Sequence, residues 1–306
     1  MLALRRRNWA VGAAWLANVL RSQASSSPTA SRLRLGPAYS TAGVATSEDS
    51  AVPPLPPARW LSDLRTRIGK CIIFGCTQSQ IREAAGVLRV LATEWRQLTA
   101  GSEGFLTGPR RGLEGQKVAW GEMDSFGHVN NVIYSRYAET ARVNWVVNFA
   151  VRVDPAHGTL WSGLMSTRSV GLIMKSLKTE FKFPMTYPDS ISVYHKLRVP
   201  PATNSTSTSL LLDCMVLSHR QMRIAARTFE DIAIYDYRVA RKTEMPEFMH
   251  NVLVDVWRQQ QDETVRARTR IWELARAVEQ LEKKTWDRPD AVEDVGSAAG
   301  GTAIMS

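Results

Sequence analysis

Three cysteines in 306 residues, Cys71, Cys76 and Cys214, are too few and too irregularly spaced for a disulfide framework or a zinc site. They read as reduced, buried small side chains. The chain has no HExxH, no CxxC pair and no paired histidines, so neither a metal nor any other cofactor is expected. No glycine-rich phosphate loop follows a strand-like run, which argues against nucleotide hydrolysis. Long apolar runs are also missing: Asn8 to Leu20 falls short of the roughly 20 residues that cross a bilayer. Acidic residues are absent from the first 47 positions, which hold six arginines (5, 6, 7, 21, 32 and 34).

That last absence decides how to read the net charge of +10. Removing the six leader arginines leaves 10 − 6 = +4 for the other 306 − 47 = 259 residues, so the basicity belongs mostly to a leader and direct nucleic-acid binding is not expected. Arg, Ser and Ala without acids is the composition of a mitochondrial transit peptide, here assigned to residues 1–40 with a cut near Tyr39-Ser40-Thr41 and delivery to the matrix. A secretory signal is the rival reading, but Arg21 closes the apolar run, no small-x-small cleavage site follows and arginines continue to Arg34.

A hydrophobic fraction of 44% and a charged fraction of 22% describe a chain able to bury a substantial core. Ser, Thr, Pro and Gly clusters continue to Pro53-Pro54-Leu55-Pro56-Pro57, and residues 41–59 read as a linker. Residues 60–116 read as a helical extension and loop. One helix is expected over Trp60 to Lys70 through Leu61, Leu64 and Ile68, and a second over Gln78 to Leu98 through Ile81, Ala84, Leu88, Leu91 and Trp95. The core is drawn at 117–245. It opens with a strand at Lys117 to Gly121, then a long helix from Asn130 to Phe149 with a wide apolar arc (Ile133, Tyr134, Tyr137, Ala138, Ala141, Trp145). Strands follow at Lys178 to Phe183 and at Ile191 to Val199, the latter alternating with period two as if one face were buried. A hairpin, Ser207 to Leu217 and Met222 to Tyr235, turns through residues 218–221. One helix followed by several antiparallel strands is an α+β layout. Residues 246–286 read as a C-terminal helix with Val265, Ile271, Leu274, Val278 and Leu281 on one side and Glu279, Glu282, Lys283 and Lys284 in solvent. Residues 287–306 read as a disordered tail.

The chemistry concentrates at Asp124. It stands three residues before Gly127, and a helix opens just after, placing a carboxylate beside the unpaired N–H groups of a helix start. That arrangement suits attack on a carbonyl whose oxygen becomes negative. Asp124 can serve as nucleophile or as general base for water, and the amides of Gly127, His128 and Val129 are the expected oxyanion donors. The bland alternative for Asp124 is a carboxylate that merely satisfies loop amides. Glu122 reads as a supporting hydrogen-bond partner, and Asn130 as the helix N-cap. His128 sits where the helix dipole disfavours an imidazolium, so it either anchors the loop or touches substrate. His195, on an apolar strand face, reads as a satisfied core residue.

Trp120, Asp124, Gly127, His128, Val129, Asn130, Asn131, Tyr134, Glu139, Ala141 and Arg142 together resemble the signature of hotdog-fold acyl-CoA thioesterases of the 4-hydroxybenzoyl-CoA thioesterase type. Only Glu122 departs, standing where Asp is usual. Phe181 to Val193, with its Pro and Tyr-x-Asp turn, resembles a second landmark of that family. The likeness covers the core alone, as in a fungal-type mitochondrial member with helices added at both ends. It implies a curved antiparallel sheet wrapped around one long helix, a coenzyme A thioester as substrate, and a homodimer or homotetramer with the pocket between subunits. By the same resemblance Asp124 is the working carboxylate and Asn131 and Tyr134 face the substrate. Glu139 is either a structural partner of Arg142 or a second catalytic carboxylate reaching across the interface. Arg220 and Arg223, beside the hairpin turn, are candidates for the phosphates of coenzyme A, or solvated strand-edge charges. A different class stays open: a non-catalytic hotdog subunit of a mitochondrial assembly, such as the ribosome. Hotdog dehydratase chemistry is a weaker third reading, since it pairs a catalytic His with an acid in another motif.

Overall fold

The computed structural model describes residues 52–108, 110–201 and 206–293. The expected leader, the start of the linker and the tail beyond Glu293 lie outside the described residues.

Two helices come first, α1 (Trp60–Ile73) and α2 (Gln78–Gly101). The apolar arc of α1 is buried as expected, whereas on α2 Ala84, Leu91, Trp95 and Leu98 are buried but Ile81 is 45% exposed. Helix α2 starts with a reciprocal cap in which Thr77 and Gln80 bond each other's backbone N–H. The hotdog core follows: β1 (Gly112–Lys117), α3 (Asn131–Asn148), a short α4 (Gly158–Gly163), β2 (Val170–Phe181), β3 (Ser190–Leu197), β4 (Ser209–Ser218), β5 (Arg223–Asp236) and the two-residue β6 (Arg241–Lys242). A single helix of 38 residues, α5 (Glu247–Lys284), is the last element among the described residues. The strands form one antiparallel sheet in the order β1-β3-β4-β5-β2, with β6 pairing on β5. This is the hotdog fold: α3 packs on one face of the sheet, burying Ile133, Tyr134, Tyr137, Ala138 and Ala141 against Val193, Val216 and Ala226. No helix among the described residues is long and apolar enough to cross a membrane.

The other face of the sheet is covered as well. Helices α1, α2 and α5 form a second layer in which Leu64, Ile68, Leu91, Trp95, Leu98, Ile271 and Leu274 pack against Tyr194, Met215 and Leu217. This corrects the one-sided reading of β3. Its alternate residues Ser192 and Tyr194 are buried at 0% and 1% exposure, because the extension helices lie over them. Each polar atom then has a partner: the Tyr194 hydroxyl donates to Glu114 (2.7 Å) and Ser192 Oγ meets His219 Nε2 (2.9 Å). Burial of Tyr194, reinforced by Glu114, pushes its phenol pKa well up.

Three further expectations shift. The first strand lies at Gly112–Lys117 rather than at 117–121, with a register shift between Leu113 and Gln116. Pairing with β3 overrides the glycines of that stretch, and at Gly112 any β-carbon would meet the Val193 carbonyl oxygen at 2.1 Å. Residues Trp120–Glu122 make a 3-10 turn instead of a strand end. Strand β2 starts at Val170, eight residues before the expected Lys178, because it pairs with β5 along its whole length. On α5 the arc through Ile271, Leu274, Val278 and Leu281 is buried as expected, with Ala267 rather than Val265 continuing it. Glu282, expected in water, is only 7% exposed and is held by both nitrogens of the Arg67 fork.

Candidate functional site

The signature residues form a tight loop between β1 and α3. The Asp124 N–H donates to the His128 carbonyl (2.8 Å), and the Gly127 N–H donates back to the Asp124 carbonyl (3.0 Å). Gly127 has φ +74°, the left-handed region, with no atom within 4 Å of where its β-carbon would sit. Glycine is therefore required by the backbone angle and not by crowding. Asn130 caps α3, its Oδ1 accepting the Val132 N–H (3.1 Å) as the sequence predicts. Glu122 holds the loop from behind: its carboxylate accepts the Ala119 N–H (2.7 Å) and the Tyr137 hydroxyl (2.5 Å). Burial of Tyr137, together with that carboxylate, drives its phenol pKa far up, so it stays a donor.

Asp124 is half-exposed, and its Oδ1 accepts the N–H of Phe126 (2.9 Å) and more loosely that of His128 (3.4 Å). Here the structure corrects the expected oxyanion donors. All three N–H groups are occupied within the protomer: Gly127 on the Asp124 carbonyl, His128 on the Asp124 carboxylate and Val129 on the Met185 carbonyl (2.8 Å). The loop amides still without a partner among the described residues are those of Ser125 and of Asn131, the first residue of α3.

The remaining candidates divide. His128 and Asn131 are exposed beside Asp124, and the His128 imidazole has no hydrogen-bond partner among the described residues. Tyr134, expected at the substrate, is 2% exposed. Its ring stands edge-on to Phe181 at 5.1 Å, and its hydroxyl accepts the Met185 N–H at 3.4 Å. Glu139 is exposed on α3 and does not pair with Arg142. Arg142 reaches instead through the core to Glu230 (2.8 Å), whose Oε1 also faces His195 Nε2 at 3.3 Å. This Arg142–Glu230–His195 cluster was missed. His195 and Glu230 are buried, and His195 Nδ1 and Glu230 Oε2 have no partner, so His195 is not the satisfied core residue expected. Burial pushes the Glu230 carboxyl up, but His195 and Arg142 outweigh it and hold the pKa below the usual carboxylate range. The available signal was Glu230 at the same strand parity as Ala226, Ile232 and Ile234, with Arg227 and Asp231 falling at the opposite parity.

Arg220 and Arg223 part company. Arg220 lines an open cleft of about 620 Å³ with Lys117, Tyr187 and His219, next to the signature loop, where the Tyr187 N–H meets Met123 Sδ at 3.4 Å. Arg223 lines a separate cleft and lies over the Phe183 ring at 4.1 Å. Neither cleft, nor the groove between α2 and α5, has Asp124 in its wall. Around the loop the surface is unusually apolar: Phe126, Trp120 and Val132 are 83%, 72% and 63% exposed. Strand β2 beside it is a free sheet edge, paired on β5 alone.

Residues 118–253 match the Thioesterase-like superfamily. Solved structures similar to the chain include a putative thioesterase from Pseudomonas aeruginosa (22% identity, TM-score 0.37), which covers 47% of this chain and 98% of its own. A thioesterase from Thermus thermophilus in complex with coenzyme A and zinc has 17% identity and a TM-score of 0.36, covering 50% of this chain and 98% of its own. A hypothetical protein from Staphylococcus aureus in complex with CoA has 10% identity and a TM-score of 0.39, covering 48% and 87%. No curated protein matches the chain. The superfamily match begins just after β1, takes in α3 to β6 and the start of α5, and supports thioester hydrolysis in general.

Proposed function

We propose that the protein is an acyl-CoA thioesterase that hydrolyses its substrate to a free acid and CoA. The observation that carries this reading is the Asp124 loop: a half-exposed carboxylate, one oxygen uncommitted, set before an N-terminal helix turn by a glycine with positive φ. Asp124 acts as nucleophile, giving a mixed anhydride that water cleaves, or as general base for water. The oxyanion falls to the unbonded Asn131 N–H and the Asn131 amide rather than to the amides of Gly127, His128 and Val129. The apolar rim of Trp120, Phe126 and Val132 and the free β2 edge support a homodimer or homotetramer in which a second copy closes the substrate channel. Glu139 then stands at that boundary as a second carboxylate. Lys117 and Arg220, in the cleft beside the loop, are placed to meet the phosphates of coenzyme A. The leader's composition supports import into the mitochondrial matrix.

The test is purified mature protein assayed against a panel of acyl-CoAs for free thiol. The expected result is turnover that Asp124→Asn lowers by about 10²–10⁴-fold, the range of a lost acid–base group. Thiol release no faster than background, or equal in the variant, sinks the assignment.

One feature favours a second reading, a non-catalytic subunit of a mitochondrial assembly. Every originally expected oxyanion amide is bonded internally, and a complete helical layer has been added that hydrolysis does not require. Sedimentation of mitochondrial extract separates the two: a large complex without turnover supports the subunit, and a small active oligomer supports the enzyme.

A further inference from the structure

The start of α1, the end of α2, the exit of β2 and the β4–β5 turn enclose a cleft of about 670 Å³. That is within the range of small-molecule sites. Its wall is strongly one-signed. Arg59, Arg65, Lys182, Arg223 and Arg227 line it against a single carboxylate, Glu103, so the lining carries 5 − 1 = +4. Residues 48–306 together carry the same net charge, +4.

Glu103 is fully spent. Both its oxygens are gripped by the Arg227 fork at 2.6 and 2.5 Å. Lys182 shares Glu180 with Lys178. Arg59, Arg65 and Arg223 have no carboxylate partner among the described residues: Arg65 meets only Met222 Sδ at 3.5 Å, and Arg223 lies flat over Phe183. Three exposed guanidinium groups converging on one concavity repel each other, and their planar forks match phosphate oxygens. The first turn of α1 adds to this. Arg59 at its N-cap gives no side-chain cap, and the Leu61 and Ser62 N–H groups are unbonded. The rest of the wall combines an apolar part, including Leu55, Pro57 and Phe183, with the polar residues Ser62, Thr99, Ser102 and Gln221.

We propose that this cleft, built by the N-terminal extension on the outer face of the sheet, binds a nucleoside diphosphate unit. Its phosphates lie among Arg59, Arg65 and Arg223, and its base lies against the apolar wall. Two sources carry that chemistry: the nucleotide half of an acyl-CoA substrate, which rests on the thioesterase reading, or a free nucleotide, which does not.

Calorimetric titration of the mature protein tests the site with ADP, inorganic pyrophosphate and CoA as probes, none of which carries a thioester to be cleaved. ADP is expected to bind one per chain and more tightly than pyrophosphate. Arg65→Ala should weaken ADP at least about tenfold, as loss of a charge-assisted phosphate contact does. Arg59→Ala with Arg65→Ala should weaken it further while the melting temperature holds, because both side chains are exposed. CoA displacing ADP with the same arginine dependence assigns the site to the substrate; ADP binding undisturbed by saturating CoA assigns it to a free nucleotide. Absent ADP binding, binding unchanged in the double variant, or pyrophosphate binding as tightly as ADP each overturns the proposal. None of these readouts depends on thioester cleavage.

Discussion

The two faces of the sheet are finished to different degrees. The outer face meets three helices that bury Trp95, Leu98, Ile271 and their neighbours; Ser192 and Tyr194 are paired there, while Gln97 Oε1, Asp231 Oδ1 and Trp286 Nε1 have no partner among the described residues. The inner face meets α3, with Trp161 of α4 and Met249, Leu253 and Val256 of α5 closing its far end, and encloses a charged cluster with two orphaned atoms. At its mouth it leaves Trp120, Phe126 and Val132 in solvent. The hotdog core thus keeps an open apolar rim where the Asp124 loop lies, and the N- and C-terminal helices cover the side that carries no signature residue. An unfinished apolar rim beside a polar loop is what a site shared between subunits requires.

The contrast can be broken most forcefully at the inner cluster. Arg142→Met leaves Glu230 as a buried carboxylate with only His195 beside it, and removing one partner of a buried pair costs about 3–5 kcal/mol. Urea unfolding should show that loss; a change below about 1 kcal/mol, the scale of an exposed pair, would mean that the cluster is hydrated and the inner face less closed than described. Next comes the outer layer. Leu98, fully buried, should cost about 2–5 kcal/mol as Leu98→Ala, in one cooperative transition with the core. A separate early transition would show that the extension folds apart from the sheet and would remove the comparison altogether.

Gly127→Ala probes the inner loop with less force. A non-glycine residue at φ +74° carries strain of about 1–3 kcal/mol, and the loop should lose activity more than the protein loses stability. Equal losses in both would deny the loop a special role. The smallest effect concerns His219, on the outer side. Burial, helped by the nearby Arg96 charge, lowers its pKa below the ordinary 6.5. The unfolded chain therefore takes up a proton first as pH falls. Stability should decline below about pH 6.5 until the folded-state pKa is passed, and then level off. His219→Gln should flatten that slope in denaturant titrations between pH 7 and 5; an unchanged slope would assign it to other groups.

The helices of this protein were legible because each has an apolar arc that sequence spacing displays: Leu64 and Ile68, Leu91 and Trp95, and Ile271, Leu274 and Val278 are all buried where the period places them. The strands were less so. Gly112 to Gly115 reads as loop until β3 is beside it, and Val170 to Leu177 lacks alternation because β2 is an edge strand with one pairing partner. The Asn130 cap and the backbone need for Gly127 were readable as local chemistry. The orientation of Tyr134 and the true partner of Arg142 were not, since they depend on Met185 and Glu230, 51 and 88 residues away.

Local rules, then, were enough to set the helices, the Asp124 turn and its resemblance to hotdog thioesterases, because helix periodicity, capping and glycine angles act within a few residues. Only the packed chain decided which amides stay free, which cations share a cleft and which sheet face is closed. Those outcomes depend on contacts between groups far apart in sequence, and no short-range pattern encodes their distance.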